Sequence, residues 1–218
     1  MPTITVENYL KAIYHLGSEG GARVKTKVLA EHMGVALPSV TSMLKGLSDE
    51  GLVEYESYRG ASLTGEGRRG ALRVIRNHRL IELFLVETLG YTWDEVHDEA
   101  ELLEHAISDR LASRIDAFLA HPRFDPHGDP IPDASGELHL EAREALASVA
   151  APSRVRFERA LDQSPDVLRY LTSLGVEPGV VLDVMGFEPF EGPVRITIRG
   201  QHVALGLPLA RRMLVTPA

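Results

Sequence analysis

The chain has 218 residues, 44% hydrophobic and 25% charged, which are the proportions of an ordinary folded protein. It contains no cysteine, which excludes disulfides and thiolate-bound metals. No apolar run approaches the roughly 18 to 20 residues of a membrane span, and residues 1–7 lack the basic flank and apolar stretch of a secretory signal. We therefore expect a cytoplasmic protein with no membrane partner.

The net charge of −8 is unevenly distributed along the chain. Residues 1–76 carry ten Lys or Arg against eight Asp or Glu, whereas residues 77–218 carry thirteen against twenty-three. Attraction to phosphate is local, because salt screens it within about 8–10 Å. An acidic chain of this kind can therefore bind a nucleic acid through its N-terminal part.

The first part of the chain, residues 3–70, is predicted to form three helices and a hairpin. The second helix stops at Gly34, and Pro38 suits the first turn of the third. Two short strands, residues 52–56 and 61–63, then form the hairpin. The third helix has an apolar stripe that is expected to be buried, which consists of Val40, Met43, Leu44 and Leu47.

Two helices joined by a short turn that contains Gly are the signature of a helix-turn-helix, whose second helix enters the major groove of DNA. The hairpin that follows makes the predicted domain a winged helix. The alternative is an ordinary helical hairpin with a solvated polar face. The side chains expected to contact DNA lie opposite the buried stripe or at the hairpin tip, and they are Pro38, Ser39, Thr41, Ser42, Lys45 and Arg59.

Residues 64–120 are predicted to be helical. One helix runs to about Leu89, and a second begins at a capping box, residues 92–95, and continues to about residue 119. The second helix has enough apolar residues for two buried faces, which favours a subunit interface.

The C-terminal part begins with a linker over residues 121–137 that contains four prolines, followed by a predicted polar helix over 137–149. Strand patterns over 180–184 and 194–198, with one short helix over 165–174, predict a small β-barrel.

Histidines and carboxylates recur at helical spacing between residues 78 and 105. If the two long helices are antiparallel neighbours, they present three imidazoles and three carboxylates, enough for two centres that bind first-row divalent metals. The alternative is a set of solvated helix residues. Two sets share a helix face: His78 with Glu82, and His97 with Glu101, Glu104 and His105. The other histidines have no partner pattern and are interpreted as surface or structural residues: His15, His32, His121, His127, His139 and His202.

Seven stretches carry a family resemblance: Glu7–Tyr14, Pro38–Thr41, Gly51–Val53, Asn77–Leu80, Val96–Ala100, Leu103–His105 and Pro126–Pro132. The last four of these stretches are highly specific for the family. Through them essentially the whole chain resembles the diphtheria toxin repressor and manganese transport regulator family of metal-dependent bacterial repressors.

The resemblance implies a homodimer that, once metallated, binds a palindromic double-stranded operator and represses metal-uptake genes. It implies Mn(II) or Fe(II) as cofactor, with two ions per subunit. The ancillary metal site would be held by His78, Glu82 and His97. The primary site would be held by Asn8, Glu101, Glu104 and His105.

The sequence departs from both branches of that family. Iron-type members have cysteine where Glu101 stands and methionine where Asn8 stands, whereas manganese-type members have acids at the positions of Asn8 and Lys11. Because Lys11 cannot ligate a metal while protonated, we do not expect a tightly spaced binuclear manganese centre. The positions at which the barrel of iron-type members adds two ligands hold Ser164 and Val167 here, with Gln163 or Asp166 as candidate replacements.

We therefore predict a mainly α protein with a small β domain. A winged helix-turn-helix DNA-binding domain over 1–70 precedes a metal-binding dimerisation domain over 71–140 and a Src-homology-3-like β-barrel over 141–218. The predicted function is metal-dependent transcriptional repression, without enzymatic activity. One alternative is a metal-independent winged-helix regulator that responds to an organic ligand. A second alternative is a metallohydrolase, against which the chain has no evident nucleophile motif or general base.

Overall fold

A computed structural model describes residues 3–17, 21–139 and 141–218. The sequence predicts no secretory signal over residues 1–7, and residues 1 and 2 of that segment lie outside the described residues. The described residues divide into two compact units. The first contains the residues up to His78, with Leu102–Asp109 and Pro132–Glu137, and the second contains Arg79–Glu101, Arg110–Ile131 and the residues from Leu138 onward.

The first unit contains the predicted winged helix-turn-helix. A buried apolar stripe along the third helix holds this domain together, because Val40, Leu44 and Leu47 are fully buried and Met43 is partly buried. Its elements are α1 (Ile4–Leu16), α2 (Thr26–Met33), α3 (Leu37–Asp49), β1 (Val53–Glu56), β2 (Gly60–Leu63) and the greater part of α4 (Gly65–Phe84).

The hairpin of β1 and β2 is fixed to the preceding chain at Val24. The amide of Val24 donates to the carbonyl of Ala61 at 2.7 Å, and the amide of Ala61 donates back at 2.9 Å. Gly60 lies at this crossing with φ of +96°, and a Cβ there would be 2.1 Å from the carbonyl oxygen of Val24. Only glycine fits this position, so the angle of the wing depends on Gly60.

The helical region confirms one predicted helix and corrects the other. Helix α4 continues into a π-helical turn, Leu85–Leu89, and ends at Gly90 in the left-handed conformation, as expected. The predicted helix from residue 92 to 119 is wrong, because it is broken into α5 (Val96–Leu103) and α6 (Asp109–Phe118).

A buried asparagine supplies the physical reason for the break. The Nδ2 atom of Asn77 donates to the carbonyl oxygen of Glu104 at 3.1 Å. That bond gives the carbonyl a partner that a continuing helix would otherwise have to provide. Glu104 and His105 therefore lie in a turn and not on the shared helix face that their spacing predicted.

The second unit contains a six-stranded antiparallel sheet, in which the strands that begin at Glu144, Met213, Ser153, Val181, Val194 and Gln201 are neighbours in that order. Its core includes Phe157, Leu168 and Leu182, all fully buried. The predicted strand over 194–198 and the helix over 165–174 are confirmed. The strands are β3 (Glu144–Ala145), β4 (Ser153–Ala160), β5 (Val181–Phe187), β6 (Val194–Ile198), β7 (Gln201–Leu205) and β8 (Met213–Pro217), with helices α7 (Pro165–Ser173) and α8 (Leu207–Ala210).

The predicted polar helix over residues 137–149 is wrong in the described part of that segment, which excludes residue 140. Strand β3 and a 3₁₀ turn, Leu146–Ser148, stand there. Glu144 pairs with Val215 of β8, and Leu146 is completely buried in the sheet core. Tertiary pairing therefore overrides the helical composition of this stretch.

Among the described residues, no helix is both long and apolar enough to cross a membrane.

Candidate metal centres and nucleic-acid interface

A first group of candidate metal ligands, together with a lysine, lies in the first unit, between α1 and the turn after α5. We call it the α1 cluster, and its members are Glu7, Asn8, Lys11, His78, Glu104 and His105. His105 is at its centre. Its Nδ1 is 2.6 Å from Oε2 of Glu7, and its Nε2 is 2.7 Å from Oδ1 of Asn8 and 3.1 Å from Oε1 of Glu104.

Three atoms around His105 could share a metal ion, because each of them offers a lone pair to the space between them. If Nδ1 of His105 donates to Glu7, then Nε2 carries a lone pair in the neutral ring. That lone pair faces two oxygens, Oδ1 of Asn8 and Oε1 of Glu104, which also offer lone pairs. A cation placed among the three atoms would satisfy all of them, and Glu7 would hold the ring in the required tautomer.

Glu104 is the most buried member of the α1 cluster, with 1% of its surface exposed. Its Oε2 is 2.6 Å from Nδ1 of His78, and its Oε1 accepts from Nζ of Lys11 at 2.5 Å. Burial raises the pKa of Glu104, but His78 and Lys11 outweigh burial and leave the pKa below its ordinary value. Glu104 is therefore a carboxylate at neutral pH, the form that binds a metal.

A second group lies in the second unit, and we call it the His127 cluster: Glu82, His97, Glu101, Asp125 and His127. Glu82, Asp125 and His127 are buried, and each offers one ligand atom within 4.8 Å of the others. Nδ1 of His97 is 3.3 Å from Oε1 of Glu82, and Nε2 of His97 is 3.7 Å from Oε1 of Glu101. The donor set is oxygen and imidazole, which first-row divalent metals accept.

The Nδ1 atom of His127 is a candidate metal ligand. Nε2 of the same ring donates to the carbonyl oxygen of Trp93 at 2.6 Å, so in the neutral ring Nδ1 is the atom with a free lone pair. Nδ1 is buried and, among the described residues, makes no hydrogen bond; it lies 3.6 Å from Oε2 of Glu82. A buried nitrogen without a hydrogen bond costs free energy, and a metal bound at Nδ1 would remove that cost.

The loop over residues 125–129 holds Asp125 and His127 in place. Oδ1 of Asp125 accepts from the amides of His127 at 2.8 Å and Asp129 at 2.9 Å. Gly128 has a φ of +86°, and a Cβ there would be 1.7 Å from the carbonyl oxygen of Glu158. Any larger residue would push the loop away from β4, so Gly128 fixes the loop.

Two members of the His127 cluster, Asp125 and His127, have pKa values above their ordinary values. Burial, followed by the charges of Asp129 and Glu82, raises the pKa of Asp125 to about 7. Burial alone would lower the pKa of His127, but Glu82, Asp125 and the Trp93 carbonyl raise it to about 9. Protons thus compensate an excess of buried negative charge that a divalent cation could compensate instead.

The residues predicted to contact DNA lie on the winged helix. Pro38, Ser39, Ser42 and Lys45 are exposed along α3. The other two predicted side chains already have protein partners. The hydroxyl of Thr41 donates to the carbonyl of Leu37 at 3.0 Å, and the exposed Arg59 pairs with Glu56 at 3.2 Å.

Comparison with known proteins identifies the family. Residues 1–61 match the family model described as "Iron dependent repressor, N-terminal DNA binding domain", and residues 64–133 match "Iron dependent repressor, metal binding and dimerisation domain". Residues 145–217 match the FeoA domain. The diphtheria toxin repressor of Corynebacterium glutamicum is 31% identical over 212 residues, which cover 92% of this chain and 91% of that protein. This chain belongs to the diphtheria toxin repressor family. It is a metal-dependent transcriptional repressor with a winged-helix DNA-binding domain.

Other relatives and solved structures agree with this assignment of the repressor. The iron-dependent repressor IdeR of Mycobacterium leprae is 36% identical over 170 residues, 77% of this chain and 72% of that protein. A structure of a manganese-dependent transcriptional repressor in complex with manganese is 41% identical, with a TM-score of 0.84 over 98% of this chain and all of that chain. ScaR with bound Zn²⁺ is 35% identical, with a TM-score of 0.76 over the full length of both chains.

The structure distributes the seven predicted metal ligands of the repressor over the two clusters. Asn8, His78, Glu104 and His105 belong to the α1 cluster. Glu82, His97 and Glu101 belong to the His127 cluster. Of the two candidate replacements from the C-terminal region, the side chain of Gln163 donates to Asp129, whereas Asp166 is exposed and pairs with Arg169.

Sequence reasoning missed three residues of these clusters: Glu7, Asp125 and His127. His127 was interpreted as a surface or structural histidine; it is not at the surface, because it is 1% exposed and lies beside the buried carboxylates of Glu82 and Asp125. Its partners are not at helical spacing from it, so periodicity could not reveal them. The stretch Pro126–Pro132, which contains His127 and carries the family resemblance, was the available signal in the sequence. Glu7 lies beside Asn8 in the stretch Glu7–Tyr14.

Proposed function

We propose that the repressor is a homodimer activated by Mn(II) or Fe(II), with one ion in each cluster of each subunit. The active dimer binds a palindromic double-stranded operator in the cytoplasm and represses genes of metal uptake and homeostasis. We propose regulation alone, with no catalytic activity. The predicted domain limits, 1–70, 71–140 and 141–218, belong to this proposal.

The observation that carries this proposal is the convergence of three donor atoms in the α1 cluster. Asn8 comes from the first helix of the DNA-binding domain, whereas Glu104 and His105 come from the segment after α5. A bound metal would supply a fixed positive centre at that point. Asn8 would then hold α1 to Glu104 and His105, and Glu7 would keep the His105 ring oriented.

Thermodynamic linkage between metal binding and DNA binding would make the repressor a metal-dependent switch. If metal fixes α1 in the position that suits DNA, then DNA must tighten metal binding by the same factor. The ligand chemistry supports manganese or iron(II), because the donors are carboxylate, amide and imidazole and the chain offers no thiolate. The similarity to proteins named as iron-dependent and as manganese-dependent repressors supports the same two metals.

The test is DNA binding with and without each metal. An operator is first selected from random duplex DNA in the presence of Mn(II), and its affinity is then measured by fluorescence anisotropy. We expect chelation to weaken binding by at least about tenfold, or 1.4 kcal/mol of coupling. Mn(II), and Fe(II) under anoxic conditions, should restore it at concentrations where Zn(II) binds but activates poorly, since four-coordinate zinc can omit Asn8. Equal affinity in chelator and in Mn(II) would contradict the proposal.

A further inference from the structure

Lys11 has a position that the metal sites alone do not explain. Its side chain is only 15% exposed, and its Nζ lies 2.5 Å from Oε1 of Glu104, whose own side chain is fully buried. The other oxygen of Glu104 is held at 2.6 Å by His78. Both oxygens of this carboxylate are therefore occupied by groups of the protein itself.

The oxygen that Lys11 holds is the same one that faces the candidate metal position. Oε1 of Glu104 lies 3.1 Å from Nε2 of His105, the nitrogen that also faces Asn8. A divalent ion bound to this oxygen would stand next to the Lys11 ammonium in a buried setting. Like charges so close repel each other strongly where water screens them poorly. The ammonium and the metal cannot both use Oε1 of Glu104.

We propose that Lys11 is an internal cation that the activating metal must displace from Glu104, so that Lys11 sets the metal concentration at which the repressor becomes active. This inference rests on the proposed function. Without metal, the Lys11 ammonium neutralises the buried carboxylate of Glu104. With metal, Lys11 leaves Oε1, and the ion takes its place.

The direction in which Lys11→Met changes the Mn(II) affinity distinguishes displacement of Lys11 from a merely structural salt bridge. Lys11→Met keeps the length of the side chain and removes the competing charge, so we expect Mn(II) to bind the α1 cluster about tenfold more tightly, within the usual range of coupling between sites. A structural salt bridge predicts the opposite, because α1 would lose an anchor and Mn(II) would bind more weakly. Lys27→Met is the matched control, since Lys27 is an exposed lysine of α2 that pairs with Glu31. Unchanged or weaker Mn(II) binding in Lys11→Met would overturn the proposal.

Calorimetric titration with Mn(II) measures the affinities, and Trp93 identifies the cluster. Trp93 is the only tryptophan, and its ring stacks on His127 with centroids 6.2 Å apart. The binding event that changes Trp93 fluorescence therefore belongs to the His127 cluster, and the other event belongs to the α1 cluster.

A second measurement uses the unaltered protein, so the proposal does not depend on the folding of a variant. The chain has four lysines, Lys11, Lys25, Lys27 and Lys45, whose acylation can be followed by mass spectrometry of peptides. If Mn(II) displaces Lys11 from Glu104, then Mn(II) should accelerate the labelling of Lys11 several-fold and leave Lys27 unchanged. Equal or slower labelling of Lys11 in Mn(II) would overturn the proposal. If the unaltered protein showed no metal-dependent DNA binding, the proposed function itself would fail, which is a different result.

Discussion

Asn8 is a neutral member of the α1 cluster and comes from α1, the first helix of the DNA-binding domain. Its Oδ1 lies 2.7 Å from Nε2 of His105. A neutral amide oxygen is a weak ligand compared with a carboxylate, so Asn8 adds little to metal affinity. Its importance is positional, because it connects α1 to the metal.

Replacing Asn8 by Ala should therefore weaken activation more than metal binding. We expect Mn(II) to improve the DNA affinity of Asn8→Ala by about tenfold less than it improves the affinity of the unaltered protein, a loss of about 1.4 kcal/mol. The Mn(II) affinity measured by calorimetry should change less than that. Asn8→Asp is the control, because it keeps an oxygen at the same place. If Asn8→Ala were activated normally, Asn8 would not be a ligand of the primary site.

The raised pKa values of the His127 cluster predict how metal binding depends on pH. A metal at Nδ1 must displace the proton that His127 holds up to a pKa of about 9. Below that pH, the Mn(II) affinity of this cluster should fall by up to about tenfold per pH unit. Titrations followed by Trp93 fluorescence between pH 6.5 and 9 measure this, and an affinity independent of pH would contradict the assignment of His127.

The same protons affect the stability of the chelated protein. In the folded state Asp125 keeps its proton up to a pKa of about 7 instead of 3.8, and His127 up to about 9 instead of 6.5. The stabilisation is complete below the lower value of each pair and is lost as pH rises through the higher one. His127→Gln should flatten the loss of thermal stability between pH 6.5 and 9. The exposed His121, replaced by Gln, is the control.

At the scale of single elements, α3 is expected to read the DNA. Pro38, Ser39 and Ser42 are small and exposed, which lets the helix approach base edges closely, and Lys45 lies one turn further along. Hydroxyl side chains near bases affect sequence preference, whereas a lysine at phosphate affects affinity for all sequences alike.

Lys45→Ala should therefore weaken binding to specific and random duplexes to a similar degree. The slope of the logarithm of affinity against the logarithm of salt concentration should decrease by about 1, since one phosphate contact is lost. Arg211→Ala is the control, because it removes one charge from an exposed ion pair of the C-terminal region. A change confined to the selected operator would mean that Lys45 contacts a base.

At the scale of the whole molecule, exposed apolar side chains indicate where two subunits meet. Leu102 is 75% exposed and Phe118 is 67% exposed, in helices within the region that matches the dimerisation family model. Large apolar side chains exposed to water are typical of interaction surfaces. In the proposed complex, the two subunits of the dimer would each contact one half-site of the operator.

Phe118→Asp should therefore shift the protein towards monomer at micromolar concentration with Mn(II) present, because a buried interface would have to desolvate a charge. Sedimentation velocity measures the change. Phe190→Asp is the matched control, since Phe190 is fully exposed in the C-terminal region. A dimer that tolerated Phe118→Asp would have to form through another surface.

The winged helix-turn-helix could be predicted from the sequence, because Gly34, Pro38 and the apolar stripe of α3 are local signals that act within one or two turns of chain. The sequence also provided the family resemblance and seven candidate metal ligands. Helical periodicity, however, assumes that a helix continues. The buried amide of Asn77 ends α5 before Glu104, and this contact joins residues 27 apart in the chain.

Which donor atoms come together depends on contacts between residues that are far apart in the chain. His127 and Glu82 lie 45 positions apart, and Lys11 and Glu104 lie 93 apart, so spacing along the chain cannot pair them. The close approach of Gly128 to β4 aims His127, and the neighbouring charges then set its pKa. Local sequence patterns specify helices and turns, whereas a metal centre is an arrangement of side chains in space, and burial and charge act on that arrangement only after the chain has folded.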